Sequence, residues 1–412
     1  MKSTTHQDLA ILGGPPAFTE KLHVGRPNVG SKASLMERVS DIVDRRWLTN
    51  NGPYVQGFER RVAEMCGTRH CVAMSNGTIG LEIMIRAAGL GGEVIIPSFT
   101  FVATAHALQW QEIRPVFCDV DPATHCLDPD RVEELITPRT TAIIGVHCWG
   151  HPAPAARLQE IADRHGLQLF FDAAHGFGCA ATADMDRPNS GRPRMIGSLG
   201  RAETFSFHAT KIVNCFEGGA VTTDDDELAE TMRLMRNFGF EGKDNVVYIG
   251  SNGKMNEVSA AMGLTSLDSY EDFVEANRRN YLAYREQLGS LPGFEILEHD
   301  GSRPHNFHYV VFTVDEDVCG LTRDEVVAAL EAENVLARRY FYPGTHNMEP
   351  YRSHQPQARL VLQQTEALMH RVMTLPTGAT VGPDDIRTIG GIVERAVTAA
   401  PAVRAAVARG RR

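Results

Sequence analysis

Short apolar segments alternate with amphipathic stretches of helical length between residue 71 and about residue 222. The apolar segments predict strands at 71–74, 93–97, 115–120, 141–147, 167–172, 204–207 and 219–222. The periodic stretches predict helices at 78–88, 103–111 and 153–165. Continuously apolar strands separated by helices are typical of a mainly parallel sheet that is covered on both faces. Ligands of such sheets bind at the carboxyl ends of the strands.

The pattern changes on both sides of this region. Residues 1–35 predict an irregular arm that lies on another surface, with free disorder as the alternative. The later segments predict helices at 257–267 and 270–288, then a strand, a helix and a strand at 307–314, 322–333 and 335–340. We therefore predict an α/β fold in three parts. These are the arm at 1–35, a large α/β domain with a mainly parallel sheet sandwiched by helices at 36–255, and a small α+β domain with a linking helix at 256–412.

Composition restricts the partners and the compartment. The chain has 412 residues, of which 43% are hydrophobic and 22% charged, and its formal net charge is -10. An acidic balance disfavours nucleic acid or an anionic membrane as the main partner. No apolar run approaches membrane-spanning length, and the polar first ten residues lack the pattern of a signal peptide. The eight cysteines form no C-x-x-C pair, which predicts reduced thiols in a cytoplasmic protein.

Two clusters of candidate metal ligands are discounted. The segment 147–151 offers two histidines and a cysteine, but these donors straddle a strand end and a turn with no fourth ligand nearby. Asp119 and Asp121 resemble the start of a calcium loop, yet Thr124 stands where that loop requires a glycine. We predict no metal site.

The stretch 205–211 joins a predicted strand to Lys211 and is followed closely by Gly218 and Gly219. A lysine that is shielded from water loses proton affinity and can condense with an aldehyde. Pyridoxal phosphate is such an aldehyde. A single lysine is usually a solvated surface charge, so this interpretation of Lys211 depends on residues elsewhere in the chain.

Several strand ends offer contacts for a phosphate and a flat ring. Gly77 and Thr78 open a predicted helix, where free N–H groups and the Thr78 hydroxyl suit a phosphate. A plain capping turn with Thr78 near the N-cap is the alternative. Ser206 supplies a second hydroxyl five residues before the lysine. Phe101 can stack on a heterocycle, although core packing is the usual role of such a side chain.

Asp172 ends an intensely apolar strand, where an unpaired carboxylate is costly. A protonated pyridine nitrogen would pair with it and would make the ring an electron sink. A helix N-cap at Asp172 is the alternative. His175, three residues later, can stack on the ring or form a hydrogen bond to its phenolic oxygen.

In this order the motifs resemble those of a known family. They are Gly77-Thr78, Phe101, Asp172-Ala173-Ala174-His175, Ser206-x-x-x-x-Lys211 and Glu217-Gly218-Gly219. The chain is similar, from about residue 25 to residue 395, to the fold type I, pyridoxal-phosphate-dependent sugar aminotransferases of the DegT/DnrJ/StrS family. Further motifs most resemble the nucleotide-sugar 4-aminotransferases of antibiotic deoxysugar pathways: Asn237-Phe238-Gly239-Phe240, Ser251-Asn252-Gly253-Lys254-Met255 and Tyr342-Pro343-Gly344-Thr345-His346. The sequence departs from the family pattern at two positions. Phe171 stands where an acidic residue is frequent in the family, and His175 stands where a glutamine is frequent.

The resemblance implies a role for each matched residue. Lys211 would bond covalently to the cofactor, and Asp172 would pair with its pyridine nitrogen. Asn252 would reach the phosphate in the neighbouring subunit of an obligate homodimer with shared active sites. The cofactor-binding residues implied are Gly77, Thr78, Phe101, Asp172, His175, Ser206, Lys211 and Asn252.

The resemblance also implies ping-pong transamination. The amine of L-glutamate would pass to the cofactor, leaving pyridoxamine phosphate, and then to TDP-4-keto-6-deoxy-D-glucose, giving TDP-4-amino-4,6-dideoxy-D-glucose. A 3-keto-sugar or keto-inositol aminotransferase is the alternative within the family. A cofactor-binding regulator without catalysis is the alternative from another class. For contacts with the substrate the sequence offers the segment Arg339-Tyr340-Phe341-Tyr342 and His346, because arginine suits a diphosphate. A surface charge or a core aromatic is the alternative role for each of them.

Overall fold

The structure, a computed structural model, describes residues 9–186 and 192–410. Its strands are β1 (Leu22–His23), β2 (His70–Met74), β3 (Glu93–Pro97), β4 (Arg114–Cys118), β5 (Thr140–Val146), β6 (Gln168–Asp172), β7 (Ala202–Ser206), β8 (Gly219–Thr223), β9 (Phe240–Glu241), β10 (Asn245–Val246), β11 (Phe294–Ile296), β12 (Val310–Val314), β13 (Val335–Leu336) and β14 (Val372–Leu375). Its α-helices are α1 (Lys32–Arg45), α2 (Pro53–Cys66), α3 (Gly77–Ala87), α4 (Ala103–Gln109), α5 (Pro129–Val132), α6 (Ala155–His165), α7 (Asp226–Met235), α8 (Glu257–Asp268), α9 (Tyr270–Leu288), α10 (Glu316–Cys319), α11 (Arg323–Ala332), α12 (Tyr351–His354), α13 (Ala358–Val361), α14 (Gln363–Arg371), α15 (Pro383–Thr398) and α16 (Ala400–Gly410).

The large sheet has seven strands in the order β2-β8-β7-β6-β5-β3-β4. Strands β7, β6, β5, β3 and β4 pair in parallel, whereas β8 runs antiparallel to both β7 and β2. The predicted α/β fold with a mainly parallel sheet is therefore confirmed. Parallel strands expose no polar face, which explains why their sequences are continuously apolar.

Helices cover both faces of this sheet. Helices α3, α4 and α7 supply the apolar side chains on one face, and α2, α6 and α8 supply those on the other. Successive side chains of a strand point to opposite faces, so neighbouring residues enter different cores. In β6, Phe170 packs with the first group of helices and Phe171 with the second, and both are fully buried.

A second, smaller sheet follows helices α8 and α9. It is antiparallel, with the order β11-β12-β14, and α9, α11 and α15 pack around its core. The predicted strand at 335–340 is only partly formed, because Val335–Leu336 pairs with β1 and only Arg338 bridges to this sheet, at Thr374 of β14. Strands β11 and β14 were not predicted, since segments of three and four residues carry too little alternation.

The N-terminal arm packs on the small domain from Leu9 to His23, and further along it contacts the large domain, where the Asn28 carbonyl accepts a hydrogen bond from the side chain of Asn214 at 2.8 Å. Leu22 and His23 pair in parallel with Val335 and Leu336, and Leu9 is fully buried in the small-domain core. The carboxylate of Glu333 accepts hydrogen bonds from the N–H groups of Ala10 and Ala17 at 2.8 and 2.7 Å. The first eight residues of the predicted arm lie outside the described residues. The domain boundaries at residues 35 and 255 stay predictions.

Along residues 9–186 and 192–410, no helix combines the length and the apolar character that crossing a lipid bilayer requires. The eight cysteines are all buried and unpaired. Burial raises the pKa of the Cys118 thiol and the pKa of the Cys126 thiol, the latter to about 12, so both stay protonated at neutral pH.

Candidate active site

The carboxyl ends of β2, β6 and β7 open into a cavity of about 540 Å³. The small domain closes the opposite wall with side chains from the segments before β12 and after β13. The structure brings seven of the predicted site residues together in the lining of this cavity, namely Gly77, Thr78, Phe101, Asp172, His175, Ser206 and Lys211.

One end of the cavity is an anion cradle at the start of α3. The side chain of Asn76 is the N-cap and accepts a hydrogen bond from the Ile79 N–H at 2.9 Å. Thr78 is therefore not the cap, and its hydroxyl is left for a ligand. The N–H groups of Gly77 and Thr78 belong to the first turn, which has no acceptors within the helix. Together with Ser206 in the same lining, these groups suit a phosphate.

Two glycines make this cradle sterically feasible. A Cβ atom on Gly77 would lie 3.1 Å from the Cβ of Ser206. A Cβ atom on Gly219 would lie 2.3 Å from the carbonyl carbon of Asn76, a distance that side chains do not adopt. The backbones of the β2–α3 turn and of β8 can approach this closely only because residue 219 is glycine.

Lys211 lies in the middle of the cavity on the turn that follows β7. Burial lowers the pKa of Lys211 to about 8, although the negative charge of Asp172 opposes this shift. The Nζ atom lies 3.3 Å from the hydroxyl oxygen of Tyr309. A lysine with this pKa has a much larger neutral fraction near neutral pH than a solvated one, so it can act as a nucleophile.

Asp172 ends β6 with its carboxylate in the cavity wall. One carboxylate oxygen accepts the Thr104 hydroxyl at 2.8 Å, and the other accepts the Ala174 N–H at 3.0 Å. Burial raises the pKa of Asp172, while these two hydrogen bonds and the charge of Lys211 oppose the shift. Residues 174–178 form a turn and not a helix, so Asp172 does not cap a helix. A cation in the cavity would stabilise this carboxylate.

Two aromatic side chains flank the space between these groups. Phe101 lies at the rim with 58% of its surface exposed. The ring of His175 stacks on Trp149 at 5.7 Å, and its Nδ1 accepts the Trp149 backbone N–H at 3.2 Å. Burial, with the charges of Lys211 and His308, holds the pKa of His175 well below its usual value. A neutral imidazole and an exposed phenyl ring in the same lining suit a flat heterocycle.

Of the residues that the small domain contributes, sequence reasoning named Tyr340 as a candidate but missed Tyr309 and Arg338. Tyr309, Arg338 and Tyr340 line the cavity, and Tyr309 meets Lys211 although 98 positions separate them. No local pattern marks Tyr309. The sequence contained a signal for Arg338, because the side chains of alternate residues in an extended segment point to the same side. The same alternation turns Arg339 away from the cavity.

The other predicted site residues are not in the lining of this cavity. Arg339 and Tyr342 line an adjoining depression and are outside the cavity lining. His346 is buried and shares hydrogen bonds with Ser98 at 2.7 Å and Glu366 at 2.6 Å, so a substrate contact of His346 has no support in this chain. Asn252 is exposed and outside the lining, and its contact with a neighbouring subunit stays a prediction.

No group of three or more His, Cys, Asp or Glu side chains could hold a metal ion within the described ranges. The cofactor implied by the sequence is organic, and the residues present fit it. The cradle matches a phosphate, the carboxylate of Asp172 matches a protonated ring nitrogen, and the amine of Lys211 matches an aldehyde.

The pKa of Lys211 gives a testable pH dependence. Only the neutral amine condenses with an aldehyde, so the rate of pyridoxal phosphate uptake by the cofactor-free protein should rise up to pH about 8 and then level off. Absorbance after rapid mixing between pH 6.5 and 10 measures this rate. Asp172→Asn removes the negative charge that raises the pKa of Lys211, so the uptake rate should reach its plateau at a lower pH in this variant. A rate that rises steadily to pH 10 would contradict the lowered pKa.

Comparison with known proteins agrees with this geometry. Residues 31–394 match the model of the DegT/DnrJ/EryC1/StrS aminotransferase family. The chain belongs to this family. A dTDP-4-amino-4,6-dideoxy-D-glucose transaminase of Shigella dysenteriae is 36% identical over 330 residues, which cover 80% of this chain and 87% of the relative. A GDP-perosamine synthase of Caulobacter vibrioides is 35% identical and covers 76% of this chain and 82% of its own length.

Solved structures of family members superimpose on nearly the whole chain. DesI, determined in the presence of its TDP-sugar product, has a TM-score of 0.91 at 50% identity, with 99% of this chain and 100% of DesI covered. DesV of S. venezuelae has a TM-score of 0.80 at 29% identity, with 89% and 95% covered. The family member described here is therefore a pyridoxal-phosphate-dependent aminotransferase of fold type I.

Proposed function

We propose that this enzyme transfers the amine of L-glutamate to TDP-4-keto-6-deoxy-D-glucose and forms TDP-4-amino-4,6-dideoxy-D-glucose. The observation that carries the proposal is the 50% identity, over 99% of the chain, with a protein whose product is a TDP-sugar. The name of the Shigella dysenteriae relative supports the same amino sugar. The product belongs to deoxyaminosugar biosynthesis, and we include antibiotic pathways in the proposal.

In this proposal the large domain holds the cofactor. Gly77, Thr78 and Ser206 bind its phosphate, and Phe101 and His175 lie on either side of its ring. Pyridoxal phosphate, when bound, supplies an electron sink for a carbon that loses its proton. The protein supplies the orientation of that ring and the groups that move protons around it.

Lys211 and Asp172 are the catalytic residues. Lys211 bonds to the cofactor, and its amine, once released, removes and returns a proton at Nζ. Its pKa of about 8 suits a group that alternates between base and acid near neutral pH. Asp172 keeps the ring nitrogen protonated, and the hydrogen bonds from Thr104 and Ala174 hold its carboxylate in position.

We also propose a homodimer in the cytoplasm. Large apolar side chains are exposed at Trp47, Leu48, Val246 and Ile249, and a second copy of the chain would cover them. Asn252 would complete the cofactor site of the partner. The eight buried, unpaired cysteines suit a reducing compartment. A monomeric mass in light scattering would refute the dimer.

The substrate is tested with matched keto sugars. The purified enzyme and L-glutamate are incubated with TDP-4-keto-6-deoxy-D-glucose, with its 3-keto isomer or with a keto-inositol, and the aminated product is identified by mass spectrometry and NMR. We expect turnover of the 4-keto compound. Turnover confined to the 3-keto sugar or to a keto-inositol would refute the proposed substrate and support the corresponding alternative. A protein that takes up the cofactor but transfers no amine would support the alternative of a cofactor-binding regulator without catalysis.

A further inference from the structure

Arg338 is a fixed cation in the wall of the cavity. Its backbone exchanges two hydrogen bonds with Thr374 of β14, at 3.0 and 2.9 Å, which anchors the residue at the edge of the small sheet. Its guanidinium carbon lies 4.8 Å from the ring centroid of Tyr340. The charge is therefore carried by a segment of the small domain whose backbone is anchored, and it lies in the same lining as the phosphate cradle.

Within the part of the chain that the structure describes, this guanidinium has no carboxylate partner. Among the described residues, none forms an ion pair with Arg338 within 4.0 Å, whereas the next residue, Arg339, lies 3.5 Å from Asp324 and stacks on Tyr342 at 5.2 Å. The other strong cation of the cavity, Lys211, is committed to the cofactor. Arg338 thus leaves an uncompensated positive charge facing the space where a substrate enters.

The position of Arg338 indicates which part of a substrate it meets. The residue also lines an adjoining depression of about 450 Å³ that contains His23 and Arg339 together with one acid, Glu331. Arg338 therefore lies at the junction of the two spaces. A substrate that places its reacting carbon beside Lys211 and extends into this depression passes the Arg338 guanidinium.

We infer that Arg338 binds the oxyanion of the substrate at the junction between the cavity and the adjoining depression. The inference rests on the proposed function, because both proposed substrates are anions. The diphosphate of the nucleotide sugar is one source of this chemistry and the carboxylate of the amino donor is the other. A guanidinium offers two parallel N–H donors to either group.

The experiment separates the two sources. TDP is titrated calorimetrically into the cofactor-free and the cofactor-loaded protein, and the KM for L-glutamate is measured in parallel. The variants are Arg338→Ala and Arg338→Lys, with Arg157→Ala as the control, since Arg157 is an exposed arginine paired with Asp130 outside the cavity. Loss of a charged hydrogen bond predicts about a 10- to 100-fold weaker interaction for the alanine variant. The Arg338→Lys variant should recover part of the lost affinity, because lysine keeps the positive charge but lacks the two parallel N–H donors.

Each outcome has a distinct meaning. A weaker TDP affinity with an unchanged glutamate KM assigns Arg338 to the diphosphate, and the reverse pattern assigns it to the carboxylate. Both effects together mean that one guanidinium serves the two substrates in turn. Unchanged values for both ligands, or equal losses in the Arg157 control, would overturn the inference. TDP binding that depends on Arg338 in a protein that aminates no nucleotide sugar would refute the proposed function instead.

Discussion

Replacing Lys211 with alanine should lower amine transfer by at least about 10⁴-fold, since one side chain supplies both the covalent anchor and the proton-transfer group. The buried amine with a pKa of about 8 has no substitute, because Arg338 is the other strong cation of the lining and an arginine stays protonated. The measurement is the single-turnover rate with L-glutamate, followed by absorbance of the cofactor. Borohydride treatment should leave the cofactor covalently attached to Lys211 in the parent protein alone.

Two further variants define what this loss means. Lys211→Arg keeps a positive charge without a nucleophilic amine, so it should be as inactive as Lys211→Ala. Lys32→Ala removes an exposed lysine at the start of α1 and should leave the rate unchanged. Transfer by Lys211→Arg at more than a few per cent of the parent rate would show that charge, rather than covalent chemistry, is the contribution of this residue.

Glu203→Ala should lower the free energy of unfolding by roughly 3–5 kcal/mol, because each of the three buried donors that lose their acceptor costs about 1–3 kcal/mol. Glu203 and His147 are both fully buried. His147 accepts the Ala153 N–H at Nδ1, so its Nε2–H donates to Glu203 at 2.9 Å. The other carboxylate oxygen of Glu203 accepts the N–H groups of Gly197 and Leu199. Alanine leaves all three donors without an acceptor.

The midpoint and slope of urea unfolding measure this effect. Glu203→Gln keeps one acceptor oxygen and should lose less stability than the alanine variant. Glu286→Ala, on the exposed side of α9, is the matched control and should change the unfolding free energy by less than about 0.5 kcal/mol. An alanine variant at position 203 with the parent midpoint would show that the carboxylate contributes no net stability.

The cofactor side of the cavity was predictable because its residues follow their strands directly. Gly77, Asp172 and Ser206 each lie at or just beyond the carboxyl end of a strong apolar segment, and parallel strands bring such ends together. Asp172 was also informative because a charge at the end of a buried strand requires a partner. The N-cap could not be assigned in advance, since Asn76 and Thr78 are both capping residues and only the backbone decides between them.

The small-domain side was not predictable to the same degree. Tyr309 reaches Lys211 through the packing of two domains, and no periodicity encodes that distance. Arg338 was one position away from the predicted Arg339, and a shift of one residue in an extended segment moves a side chain to the opposite side. His346 was expected near the substrate, but its hydrogen bonds to Ser98 and Glu366 hold it in the interior.

The pairing of β1 with β13 has a consequence for how the polypeptide assembles during synthesis. The Ala10 N–H and its acceptor Glu333 are 323 positions apart, so the arm leaves the ribosome long before its partner exists. Nascent chains fold from the N-terminus in units, and contacts between distant residues form late. The phosphate cradle can therefore be built first, and the wall that carries Tyr309 and Arg338 completes the catalytic pocket only as the last third of the chain emerges.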